Sequence, residues 1–147
     1  MNADQERVIV VPCSGIGKTF GSVSRDAAYE VCEELRPETT RLLALSKLVL
    51  GDEEAHERVQ MGRTVTIDGC KLMCAAKLVE MSGGTIVRRV AVLDVYREHK
   101  DLKPDGIAEL NDAGRRLARA VAGEIATTID GVCDSSRAGE GSHGQPA

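Results

Sequence analysis

Apolar residues follow two kinds of pattern along this chain. Short runs rich in β-branched residues occur at Val8, Ile9, Val10 and Val11, and again at Thr64, Val65, Thr66 and Ile67. Bounded by glycines and followed by helical patterns, such runs predict parallel strands buried on both faces. Residues 24–36 place Ala28, Val31, Cys32 and Leu35 at helical spacing, and Pro37 ends that helix. Residues 39–49, with Leu42, Leu43, Ala44 and Leu45, predict a second strand. Asp52, Glu53 and Glu54 then open a short helix to Met61, with acidic residues at its positive end. A helix is predicted over 70–81, closed by Gly83 and Gly84, and a last strand over 85–96. Beyond a polar loop at 97–106, the series Ile107, Leu110, Gly114, Leu117, Val121, Ile125 and Ile129 marks one long amphipathic helix. Residues 134–147 are polar and rich in Ser and Gly, which predicts a disordered tail after a single domain over 1–133.

The alternation of strands and helices implies an α/β fold: a small three-layer domain with a four-stranded, largely parallel sheet and helices on both faces. Right-handed crossovers leave few strand orders. The order 2-1-3-4 sets the first strand between the second and third. Ligands of open α/β sheets bind outside the carboxyl ends of the strands, where the strand order reverses. Both predicted central strands run into cysteine loops there: Pro12 and Cys13 after the first, and Asp68, Gly69 and Cys70 after the third, with Cys74 four residues on.

Composition narrows the chemistry. The 147 residues suit one domain with one core, and with a single Phe, two Tyr and no Trp that core is aliphatic. A net charge of −4 gives no electrostatic footprint for nucleic acid. No apolar stretch approaches the roughly 20 residues that cross a bilayer, so no membrane partner is expected. The polar, mixed-charge start is not a signal peptide, and a cytoplasmic location follows as an expectation. Thiols stay reduced there, so five cysteines point to metal binding or catalysis rather than a disulfide scaffold.

Cys70 and Cys74 lie four apart at a predicted helix start, where unpaired N–H groups favour thiolate. The bland reading makes Cys74 a small core residue beside Ala75 and Ala76. The link to Cys13 through the fold turns the balance toward function. Cys32, eight residues into its helix, lies about 12 Å from the edge at 1.5 Å per residue and reads as a buried apolar thiol. Cys133, at the start of the tail, reads as incidental. Gly17, Lys18 and Thr19 imitate the end of a phosphate-binding P-loop, but Pro12 stands where its first glycine belongs. A cysteine-phosphatase loop would need Arg where Thr19 stands. The glycines therefore read as a tight strand–helix turn. His56, His99 and His143 have no ligand-pair spacing and read as solvated side chains.

The chain resembles the DGC-domain family, named for its Asp-Gly-Cys motif. The resemblance rests on Cys13, Ser14, Gly15, Ile16, Gly17 and Lys18, on residues 29–37, and on Gly51, Asp52, Glu53, Glu54 and Ala55. The motif itself is Ile67, Asp68, Gly69 and Cys70, followed by Cys74, Ala75, Ala76 and Lys77. The family is associated with zinc chelation by four cysteines. The resemblance carries that role onto Cys13, Cys70 and Cys74. The fourth family cysteine falls where this chain has Ala44, and the proline that commonly follows the motif is Lys71 here.

Structural zinc has four protein ligands, so three thiolates leave one position for water, a substrate or an exogenous thiol. The expectation is a zinc-binding protein with an incomplete thiolate site at Cys13, Cys70 and Cys74. The alternatives are thiol redox or sulfur relay through the same cysteines, and an Fe–S cluster. The sequence assigns no reaction, no named partner and no oligomeric state.

Overall fold

A computed structural model describes residues 6–142 except Ser14 and Ile16. The four strands are β1 (Val8–Pro12), β2 (Thr40–Leu42), β3 (Arg63–Asp68) and β4 (Thr85–Ala91). They form one sheet in the order β2-β1-β3-β4, and every pairing is parallel. Val10 stands opposite Leu42, and Pro12 opposite Ile67. The carboxyl ends of β1, β2 and β3 therefore open on one edge. The strand order reverses between β1 and β3.

The predicted single core is two cores, one on each face. In β1, Val8 and Val10 belong to one and Ile9 and Val11 to the other. The first lies beneath α1 (Thr19–Tyr29), α5 (Val92–Glu98) and α6 (Asp112–Ser142). The second lies beneath α2 (Leu45–Val49), α3 (Glu53–Met61) and α4 (Cys74–Met81). Leu117, Ile125 and Ile129 of α6 are fully buried. At about 1.5–3 kcal/mol for each such side chain, they hold the long helix against the sheet.

Several boundaries differ from those predicted, each for a local reason. α1 starts at Thr19, directly after the glycine turn, and passes into a π-helical segment, Glu30–Leu35, that stops before Pro37. The predicted second strand is strand only to Leu42. Leu45 and Leu48 are buried at helical spacing against the second core, so the chain turns into α2. The predicted last strand ends at Ala91 in the same way, because Val92 and Val95 pack as helix residues. α6 begins at Asp112, after an irregular stretch that contains Ile107 and Leu110. It continues to Ser142, past residue 133 where the sequence ends the domain. The rest of the predicted tail, with His143, lies outside the described residues. No helix among the described residues is long and apolar enough to cross a membrane.

Candidate metal centre at the carboxyl edge

Cys13 is the first residue past β1, and its position is fixed by the sheet: its N–H donates to the carbonyl of Ile67 at 2.8 Å. The side chain is buried. Its Sγ lies 3.2 Å from Ser24 Oγ on α1 and accepts the backbone N–H of Gly69 at 3.2 Å. Ser24 is itself anchored, because its hydroxyl donates to Gly21 O at 2.6 Å. Burial pushes the Cys13 thiol above its ordinary 9.0. The contacts to Ser24 and Gly69 pull it back, while the charges of Asp68 and Cys70 add to the rise.

The Asp68, Gly69, Cys70 loop has a separate task for each residue. Asp68 ends β3 and is buried. Its carboxylate reaches across the loop and accepts the N–H groups of Ala75 at 2.8 Å and Ala76 at 3.2 Å. It thereby supplies the N-terminal cap of α4, satisfying donors that a helix start leaves unpaired. Burial raises this carboxyl above its usual 3.8, against the pull of the two N–H groups and of Lys77. Gly69 allows close approach: a Cβ there would lie 2.6 Å from Gly21 N and from Phe20 C and O. Gly15 and Gly21 meet in the same way, with a Cβ on either lying 2.3 Å from the other's Cα. The two cysteine loops and the start of α1 therefore touch backbone to backbone.

Cys70 is half-buried, in the loop rather than at a helix start as the sequence suggests. The helix begins four residues later because Asp68 caps it there, and Met73 turns the chain in a left-handed conformation with φ 53°. Cys74 is the first residue of α4 and is exposed. The buried neighbours Ala75 and Ala76 take the core positions instead. The N–H bonded to the Cys13 thiol belongs to Gly69, the residue before Cys70. Among the described residues, no group of three or more His, Cys, Asp or Glu side chains is arranged to hold a metal ion. The three thiols share an edge without being drawn into one coordination cluster.

Ala44 sits just past β2 in extended backbone, at the N-cap of α2. It lines the same cavity as Cys13, a space of about 130 Å³. A second cavity, of about 220 Å³, is lined by Asp68, Cys70 and Arg97, among others. Cys32 and Cys133 pack against the first core, away from this edge. His56 contacts the carbonyl of Leu48 at 3.0 Å, and His99 lies just past α5.

The sequence reading missed Gly21 and Ser24. Gly21 carried a signal, since a glycine inside a helix costs about 1 kcal/mol against alanine and calls for a packing reason. Ser24 carried none, because its place beside Cys13 follows from where α1 begins.

A sequence model of the DGC domain matches residues 9–114. The chain belongs to the DGC-domain family. No curated protein and no solved structure matches it. In this DGC domain the Asp and Gly of the motif have architectural tasks: Asp68 caps α4 and Gly69 admits the backbone of α1. Thiolates, taken one by one, are donors of the soft type that suits zinc rather than magnesium or calcium.

Proposed function

We propose that this DGC domain binds zinc through Cys13, Cys70 and Cys74, with the fourth position left to a ligand from outside the chain. The observation that carries the reading is that Cys13 and Ala44 line one cavity. The position where the family has its remaining cysteine thus lines the same cavity as Cys13. The hydrogen bond from Gly69, the residue before Cys70, to the thiol of Cys13 supports the same grouping. Cys70 and Cys74 bracket a short loop, and its rearrangement would bring both thiols toward Cys13. A bound zinc would supply a Lewis-acidic centre. The chain's part is to deliver the thiolates, to hold Cys13 in place through Ser24 and Gly69, and to leave residue 44 without a donor.

The test is zinc content by elemental analysis of protein purified without added metal, followed by competition with a chromophoric chelator. One zinc per chain is expected, lost in Cys13→Ser and Cys70→Ser and retained in Cys32→Ser. Ala44→Cys is expected to bind at least about tenfold more tightly than the wild type, a gain of about 1.4 kcal/mol. Protein that neither carries nor takes up zinc overturns the reading. In that case the hydrogen bond that ties Gly69, next to Cys70, to the Cys13 thiol favours thiol redox instead, read out as a reversible disulfide between Cys13 and Cys70 under mild oxidant.

A further inference from the structure

The cavity beside Cys13 has features that the zinc reading does not use. Its walls are mostly apolar, formed by Pro12, Leu42 and Leu45 together with Tyr29 and Ser46, and the residue at 44 is a short alanine. One cation lines it, Arg25 of α1. Arg25 donates to Ser22 Oγ at 3.3 Å, and no carboxylate among the described residues forms an ion pair with it. Arg25 as a whole is partly buried.

We propose that this cavity binds a small organic acid, with the carboxylate on Arg25 and a short apolar body against Pro12, Leu42 and Leu45, next to the thiol of Cys13. Each property of the site selects against an alternative. A guanidinium fork matches a carboxylate through two parallel hydrogen bonds. Inorganic phosphate would fit that fork as well, but its remaining oxygens would face apolar walls and lose their water without replacement. The volume of about 130 Å³ is below the roughly 300–1,000 Å³ of pockets for drug-sized ligands, so the acid has only a few carbons. A cationic ligand would meet Arg25 with like charge. The proposal needs no metal, so it stands or falls apart from the zinc reading.

The experiment is a titration of the metal-free full-length chain with butyrate, followed by amide NMR. Saturable shifts are expected around Cys13, Arg25 and Ala44, with butylamine and inorganic phosphate giving none there. Arg25→Gln is expected to weaken butyrate at least about tenfold, with Arg25→Lys in between. Ala44→Leu, which enlarges a side chain that lines the cavity, is expected to abolish binding. The amide spectrum of each variant reports its fold directly. Should Arg25→Gln unfold, the comparison of butyrate with butylamine on the wild type, together with Ala44→Leu, decides the question. Equal binding of butyrate and butylamine, undiminished binding by folded Arg25→Gln or Ala44→Leu, or no saturable shift at all overturns the proposal.

Discussion

The carboxylate of Asp68 accepts the N–H of Ala75 at 2.8 Å, so the last residue of β3 caps a helix whose first residue lies six positions further on. The whole loop with Cys70 is suspended between these two points. Asp68→Ala is expected to destabilise the fold by about 2 kcal/mol, combining a lost cap with newly unpaired N–H groups. Asp68→Asn, which keeps one acceptor oxygen, is expected to lose less. Urea unfolding of the three proteins provides the measurement, and hydrogen exchange at Ala75 and Ala76 should quicken selectively in Asp68→Ala.

Gly69 is expected to tolerate no side chain. Its Cβ would press on backbone atoms of Phe20 and Gly21, which cannot yield as the end of a flexible side chain could. Gly69→Ala should cost about 1–3 kcal/mol in urea unfolding. Gly123→Ala, on the open face of α6 with nothing within 4 Å of the added Cβ, is the matched control. It should be neutral or stabilising by up to about 1 kcal/mol.

The thiols should differ widely in reactivity. Cys74 is exposed, while Cys13 is buried and its thiol is pushed up by that burial. Alkylation of the metal-free native protein near neutral pH, followed by mass spectrometry of peptides, is expected to label Cys74 first and Cys13 last among the edge cysteines. Fast labelling of Cys13 in the folded protein would contradict the packing of its Sγ against Ser24 and Gly69.

Arg36 grips Asp130 of α6 through two parallel hydrogen bonds, each 2.7 Å. The hydrogen bond from Arg36 holds the Asp130 carboxyl below its usual 3.8. Such a group binds its proton less readily folded than unfolded. Its contribution to stability is present above the unfolded value and is lost as pH falls through the folded one. The gap in urea midpoint between wild type and Asp130→Asn is therefore expected to be constant above about pH 5 and to close at lower pH. A gap that widens on acidification would have the wrong sign.

The central strands were legible because β1 and β3 are buried on both faces, and uninterrupted β-branched runs follow from that. The crossover rules narrowed the strand order to a few, and the one chosen among them, 2-1-3-4, is the order of the sheet. β2 and β4 were overextended because the apolar run continues unbroken from strand into helix at Leu42–Leu45 and at Val90–Leu93. No change of composition marks where period two becomes period three to four. Cys13 and Cys70 closely follow β1 and β3, so their place at the strand ends was legible together with the strands. The start of α4 was not legible, because the residue that sets it, Asp68, acts from outside the helix across a loop. Nor were the partners of Cys13: Ser24 and the N–H of Gly69 reach it only through the packing of α1 against the motif loop.

The glycine contacts among Gly15, Gly21 and Gly69 have a mechanical consequence. Side chains between packed elements can change rotamer and absorb a displacement, but bare backbones in contact have no such slack. A movement that draws the Cys70 loop inward must push on the start of α1, and α1 is pressed along its length against α6. That helix is pinned at the opposite edge of the sheet, where Arg63 donates to the carbonyl of Val132 at 3.3 Å. α1 is thus a lever with its short arm among the cysteines. Filling or emptying the carboxyl edge should be felt as a change of pitch in the long helix that closes the other side of the molecule.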